Sequence, residues 1–350
     1  MGVVHVVLPG DIDDPATPSG GNTYDRRICA GLAAAGWSVR EHAVPGAWPR
    51  PGGTERAHLS RVLSAVPDDA LVLLDGLVAL AAPEVLVPQA GRLRLVVLVH
   101  MPLGDDAEAG ALAAAAAVIT TSEWSRRWLL DRYALPVDRV HVAAPGVDHA
   151  PLARGSYGGS KLLCVAAVTP QKGHDVLTEA LAEVADLPWT CVCVGALTRD
   201  PGFVARVRHQ IGDGGLDGRV RLLGPHTGDD LCAAYAAADL LVLASRGETY
   251  GMVVTEALAR GIPVLATAAG GLPEALGNAP DGSRPGMLVP PDDPAALAGA
   301  LRRWLTDADL RHRLRRSAEG RRSTLAGWAD TATLISKVLA AASAGQGRPA

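Results

Sequence analysis

The fold this 350-residue sequence predicts is α/β, with two doubly wound Rossmann-like domains, and three observations carry it. Short apolar runs rich in Val and Leu alternate with helical segments along the whole chain. The pattern breaks at a Gly/Ser stretch, ARGSYGGSK, and then starts again. Several strand-like runs end on Gly-rich turns. Continuous apolar strands between helices indicate parallel sheets covered on both faces.

In the first half, VVHVVLP (3–9) reads as a strand and NTYDRRICAGLAAAGW as the helix after it. ALVLLDG (70–76), LRLVVLVHMP (93–102) and AVITTS (117–122) read as further strands. The second half opens with KLLCVAAV (161–168) and the helix DVLTEALAEVA, then WTCVCVGA, RVRLLGP, DLLVLAS, IPVLATA and GMLVPP, with helices between several of them. After Asp293 the chain reads as helical, ending in WADTATLISKVLAAAS. The expected division is an N-terminal domain over 1–152, a hinge linker over 153–160, a C-terminal domain over 161–326, a last helix over 327–343 and a disordered tail over 344–350. Two such domains imply an interdomain cleft.

Bulk properties exclude several classes. A formal net charge of −4 gives no electrostatic footprint for nucleic acid. The five cysteines include no CxxC pair and four lie in apolar segments, so buried free thiols in a reducing cytoplasm are expected rather than disulfides or a zinc site. The start lacks the basic residues of a signal peptide. The apolar run ALAAAAAVITT is about half of the roughly 20 residues a membrane helix needs, so any membrane contact is peripheral. The basic run over 312–322 reads as a solvated helix face, with Asp307, Asp309 and Glu319 around it.

The chemistry concentrates at strand ends, where ligands of such sheets bind. SRGETYGMVVTEALARG (245–261) follows an apolar strand and places Glu248 in a loop and Glu256 inside the next helix. Between them the amides of Tyr250, Gly251, Met252 and Val253 form a helix N-terminus that favours an anion, and Gly251 has no side chain to hold that anion off. Taken alone, Glu256 is equally explained by an i,i+4 pair with Arg260.

Three other places share this character. The long loop PGDIDDPATPSGGNTYDRR brings Gly20 and Gly21 before a helix with Asn22 as its expected N-cap, and is not a GxGxxG fingerprint. Its Asp11-x-Asp13 has the spacing of a cation clamp, but acidic loops are commonly just solvated, and no metal is expected. His100 ends the strand LVHMPLG, and Lys172 in VTPQKGHD supplies a point charge suited to phosphate.

QKG…GETYGMVVTEALARGIPVLATAAGGLPEAL…GMLVPPDDPAALAGAL resembles the retaining family-4 glycosyltransferases, which have the GT-B fold. The resemblance extends to GGNTYDRRICAGLAAAG, ITTSEWSRRWL and PGVD (145–148), and is strongest over 161–301. It implies a retaining, metal-independent transfer of a hexose from a UDP-, GDP- or ADP-hexose to an acceptor hydroxyl, with no cofactor beyond that co-substrate. Lys172 resembles the lysine that binds the donor diphosphate, Glu248 the glutamate on the donor sugar, and Glu256 the one on the ribose. By the same resemblance Gly21 would lie under the diphosphate with Gly20 as a further donor-binding candidate, His100 near the donor sugar, and His226 and Thr227 near the base. Arg246, Thr249, Tyr250, Gly251, Met252 and Val253 complete the donor contacts, and the last helix returns to the N-terminal domain. One departure stands out: the family's GR before the lysine is Ala166-Ala167 here, removing a phosphate ligand, and Arg246 is the candidate replacement. Two alternatives remain on the sequence: another GT-B nucleotide-sugar enzyme of epimerase type, or a non-catalytic nucleotide-sugar binder. Arg26, Arg27, Arg126 and Arg127 are candidates for an anionic acceptor. The base, the sugar, the acceptor and the oligomeric state are not specified by the sequence.

Overall fold

The computed structural model describes residues 2–16, 18–156 and 158–344. Among the described residues twelve strands form two six-stranded sheets, parallel throughout. The first holds β1 (Val3–Pro9), β2 (Ser38–Val44), β3 (Leu71–Asp75), β4 (Arg94–Val99), β5 (Ala117–Thr120) and β6 (Val140–Val142), in the order β2-β1-β3-β4-β5-β6. The second holds β7 (Lys161–Val165), β8 (Thr190–Val194), β9 (Val220–Gly224), β10 (Leu240–Leu243), β11 (Val264–Thr267) and β12 (Gly286–Val289), in the order β12-β11-β10-β7-β8-β9. Central strands such as β3 and β10 are buried along their whole length, as sheets covered on both faces require.

Both orders contain a point where the winding direction reverses. It lies between β1 and β3 in the first sheet and between β7 and β10 in the second. Loops leaving the carboxyl ends of those strands diverge to opposite faces, opening a crevice for a ligand. The apolar pattern gave no warning of β2 or β6. β2, SVREHAV, is an edge strand exposed along most of its length, and β6 has three residues.

The chain divides into two compact units: the residues up to Asp14 with Ser19–Gly146 and those from Ala326 onward, and Pro15–Pro18 with Val147–Leu325. The stretch read as a hinge (153–160) is anchored on the second unit. Ala153 N–H donates to Arg260 O, Ser156 N–H and Oγ donate to Asp239, and Arg315 donates to both Asp239 and Ser156 O. Asp239 is buried, so these bonds are shielded from water. Tyr157, within that stretch, lies outside the described residues.

The last helix, Trp328–Ala344, belongs to the first unit. It buries Ile335 and Leu339, while Trp328 meets the Tyr24 ring edge-on and Ser336 Oγ accepts from Trp37 Nε1 at 2.8 Å. Of the tail expected from 344, Ala344 closes this helix and 345–350 lie outside the described residues. The basic run is more than a solvated face. On helix Ala308–Arg322, Arg315 donates to Asp239, Arg321 to the Leu276 carbonyl and Arg322 to the Ala150 carbonyl. Among the described residues no helix is long and apolar enough to cross a membrane.

Candidate functional site

In the second unit, the reversal between β7 and β10 brings Lys172 and Glu248 together from positions far apart in sequence. Lys172 closes the short 3-10 turn Pro170–Lys172 after β7. Its Nζ lies 2.6 Å from Glu248 Oε1, which also accepts from Ser245 Oγ at 3.0 Å. Both donors use Oε1, so among the described residues Oε2 keeps its capacity for a ligand. The Glu248 side chain is 12% exposed and Lys172 29%, so the pair is shielded but reachable.

Two glycines make this approach possible. Gly173 has φ +66° and a Cβ there would lie 2.0 Å from Ala244 O, so the Lys172 turn presses on the end of β10. Gly270 has φ +57° and a Cβ would lie 1.9 Å from Glu248 O. Its neighbour Gly271 donates N–H to that same Glu248 carbonyl at 2.8 Å. The loop after β11 therefore clamps the glutamate's backbone.

Helix Met252–Leu258 starts at N-cap Gly251, which offers no side-chain cap to its first amides. Val254 N–H is satisfied by Gly251 O. Thr249 is half-buried and Tyr250 buried just ahead of that cap. Glu256 does not pair with the Arg260 guanidinium. Arg260 Nη1 donates to the Glu256 backbone carbonyl instead, while Glu256 Oε2 accepts from Tyr235 OH at 2.7 Å. Burial raises the Glu256 carboxyl, partly offset by the Tyr235 hydroxyl and by Arg260.

Arg246 is committed elsewhere. Its Nη1 and Nη2 donate to Asp175 at 2.9 and 3.0 Å, Nε donates to Asp292 at 2.5 Å, and Nη1 also reaches Pro170 O. Burial works against the Asp175 carboxylate, but Arg246 holds its carboxyl below the usual range. The arginine thus braces the turn that carries Lys172, and the place of Ala166-Ala167 is not filled by a free guanidinium from this position. His226 and Thr227 follow β9, at the sheet edge two strands from β7, with His226 half-buried and Thr227 exposed as N-cap of Gly228–Ala236.

The first unit builds a separate constellation at its own reversal point. Helix Gly20–Ala34 begins after β1 with Ser19 as N-cap, accepting from Asn22 N–H at 3.0 Å. The cap is three residues earlier than Asn22, because Ser19 closes the turn that the two glycines then continue. A Cβ on Gly21 would lie 3.4 Å from His100 Cδ2, so the glycine lies against the imidazole. His100 Nε2 is 2.7 Å from Asp25 Oδ1 and 3.5 Å from Asp75 Oδ2. Burial alone would lower the imidazole, yet the Asp25 carboxylate, helped by Asp75, pushes it up to about 9. Asp75 ends β3, caps Leu77 and Val78 N–H, and is raised to about 8 by burial and by the Asp25 charge. Among the described residues Asp25 Oδ2 is buried with no hydrogen-bond donor.

The sequence did not single out Asp25, Asp75, Ser245, Asp175 or Tyr235. Asp75 had a signal, an acidic residue ending an apolar strand. Asp25 sits one helical turn beyond Gly21, on the same face. Tyr235 had none. The Asp11-x-Asp13 clamp is not supported, since Arg26 holds the Asp13 carboxylate and also pairs with Glu41. The same pairing occupies Arg26 as an acceptor candidate. Arg126 donates to the carbonyls of Val140 and Val137, Arg127 is exposed, and Arg27 makes contacts of its own.

Residues 159–307 match the family described as glycosyl transferases group 1. A D-inositol 3-phosphate glycosyltransferase of Salinispora tropica is 36% identical over 219 residues, covering 55% of this chain and 44% of that protein. One from Jonesia denitrificans is 32% identical over 238 residues, covering 62% and 55%. The chain therefore spans about half the length of the curated relatives it matches. Among solved structures, a glycosyltransferase from Rickettsia africae superposes with a TM-score of 0.76 at 18% identity, over 98% of this chain and 99% of that one. Anabaena Alr3699/HepE, in complex with UDP and glucose, gives 0.76 at 20% identity over 97% and 99%. At such identities the likeness shows the fold, which is GT-B.

Proposed function

We propose, from the match of residues 159–307 to the glycosyl transferases group 1 family and from the GT-B fold, that the protein is a glycosyltransferase using a nucleoside-diphosphate hexose, with retention and without a metal. The observation that carries this reading is the Lys172–Glu248 pair at the β7/β10 reversal, with Glu256 a short helix away. An ammonium has three donors. Lys172 can keep Glu248 with one and give the others to a diphosphate as charge grows on the leaving group. Such a preorganised charge in a shielded place stabilises the transition state more than the ground state.

Glu248 Oε2 is suited to sugar hydroxyls, since Oε1 is occupied by two donors. Glu256, held by Tyr235, is suited to the two ribose hydroxyls, and the uncapped amides after Gly251 to the phosphates between. The leaving phosphate itself takes the acceptor proton, so no carboxylate nucleophile is required. Alr3699/HepE, with UDP and glucose, makes uridine the first base to test. The relatives' name places D-inositol 3-phosphate in the acceptor screen.

Calorimetric titration with UDP, GDP and ADP in EDTA tests the reading. One nucleotide is expected to bind, and Glu256→Ala to weaken it about tenfold to a hundredfold, the worth of a charged hydrogen bond. Turnover of the matching nucleotide sugar should persist in EDTA with the anomeric configuration kept. Binding of none of the three nucleotides overturns the proposal; strict dependence on Mn²⁺ or Mg²⁺ removes its metal-independent part.

A further inference from the structure

Behind the Lys172 turn lies a second cluster that the proposed transfer does not use. Cys164 on β7 and Cys193 on β8 are register partners in neighbouring parallel strands, so their side chains leave the same face of the sheet. His174 begins the helix His174–Ala182 and brings Nε2 to 3.7 Å from Cys164 Sγ. One ligand atom from each of the three residues lies within 4.8 Å of the other two. All three residues are at least 98% buried, with exposures of 1%, 1% and 2% for Cys164, His174 and Cys193. Among the described residues His174 Nδ1 is buried with no hydrogen-bond partner, so no second contact fixes the tautomer and Nε2, which faces Cys164, can present its lone pair.

Two thiols and an imidazole form a soft donor set suited to d¹⁰ cations. We propose that Cys164, His174 and Cys193 form a binding site for a thiophilic divalent cation of the zinc class. Uptake balances as one M²⁺ replacing two thiol protons, with neutral imidazole nitrogen as the third ligand and two H⁺ released. The resulting complex has no net charge, which is what an interior this dry accommodates. Cys191 is buried two residues before Cys193 on the same strand, in side-chain contact with it, and offers a further thiol beside the site.

The site does not depend on the glycosyl-transfer reading. Its place does suggest a consequence, because His174 is two residues from Lys172, across Gly173. A bound cation would pin the turn that presents the lysine. The cysteine spacing argued against a zinc site, since ligands at 164, 174 and 193 lack the short spacing of a zinc motif and come together only through strand adjacency and the helix that follows β7.

The test uses the full chain, reduced and stripped with chelator, titrated with Cd²⁺ while the ultraviolet sulfur-to-metal charge-transfer band is followed. A parallel sample produced in zinc-supplemented medium is assayed for metal by native mass spectrometry. The expected result is one cation per chain in at least one of the two experiments, with a raised melting temperature. The band should disappear in Cys164→Ala and in Cys193→Ala and weaken at least tenfold in His174→Gln. It should persist in Cys232→Ser, whose thiol is exposed, and in Cys29→Ala, in the first unit. Circular dichroism identifies any variant that fails to fold, and the wild-type stoichiometry stands without the variants. No bound cation in either wild-type experiment overturns the proposal. So does a band retained in Cys164→Ala and Cys193→Ala, or one lost in Cys232→Ser, or mass loss showing a Cys164–Cys193 disulfide in the protein as isolated.

Discussion

His100 Nε2 lies 2.7 Å from Asp25 Oδ1 and 3.5 Å from Asp75 Oδ2, so one ring nitrogen is spoken for and only Nδ1 can serve a ligand. The same geometry makes the residue a titrating element of stability. Its folded pKa of about 9 exceeds the ordinary 6.5, so its contribution is complete below about pH 6.5 and is lost as pH rises through about 9. The side chain is only 11% exposed, so solvent screening is weak and the contribution is of the order of 3 kcal/mol. Asp75 works in the same direction. Raised to about 8, its protonated form favours the folded state, and that advantage fades as pH rises from about 4 toward 8. Chemical denaturation of wild type and His100→Gln across pH 6 to 10 reports the imidazole together with the further rise of Asp75 once the His100 charge is gone. The stability gap between them should be widest near pH 6 and shrink toward pH 10. A gap independent of pH would mean that the imidazole is neutral when folded.

At the level of elements, the turn Pro170–Lys172 is held between two constraints, and each makes a prediction. Gly173→Ala would put a Cβ 2.0 Å from Ala244 O at φ +66°. The left-handed conformation alone costs roughly 1–2 kcal/mol, and relieving the clash brings the total to about 3 kcal/mol or more. Thermal unfolding should shift down, and nucleotide affinity should fall with it, because Lys172 moves with the turn. Arg246 is the second constraint. If it acts by bracing Asp175 and Pro170, Asp175→Asn should weaken nucleotide binding as Arg246→Ala does, by about threefold to tenfold, roughly 1 kcal/mol for a half-exposed pair. If Arg246 were itself the phosphate ligand replacing the arginine lost at Ala167, releasing it from Asp175 would leave affinity unchanged or raise it. Titration calorimetry on the two variants separates the roles. The contrast also marks what was legible in the sequence. Lys172, Glu248, Gly270 and Gly271 stand at strand ends beside turn residues, where local pattern locates them. Asp25 and Asp75 against His100, Tyr235 against Glu256, and Cys164 against Cys193 depend on strand order or on which helix packs where. The edge strand β2 was invisible for a related reason, because its polar residues face water and leave no apolar run to read.

On the scale of the whole chain, the two units are threaded differently, and that difference sets what can be separated. The second is almost continuous, Val147–Leu325 with only Pro15–Pro18 from elsewhere. The supposed hinge is tied into it through Asp239 and Arg260, so a cut at 146/147 severs none of those bonds. The first unit is assembled from both ends of the sequence and needs its last helix. Removing 326–350 would expose the partners of Ile335 and Leu339, each side chain worth roughly 1.5–3 kcal/mol when buried. It would also remove the Thr331 hydroxyl from Ala144 O and the Trp328 ring from Tyr24. We therefore expect residues 147–325, expressed alone, to unfold cooperatively in urea. On the proposed function, their nucleotide affinity should be within about tenfold of the full chain's, a difference of about 1.4 kcal/mol. Residues 1–325 should instead lose the cooperative transition of the first unit while keeping that of the second. A fragment 147–325 that fails to fold would overturn the independence of the second unit. One that folds cooperatively yet binds no nucleotide, while the full chain does, would assign part of the nucleotide's binding energy to the first unit, where His100 and the Gly20-Gly21 turn are the groups to test next.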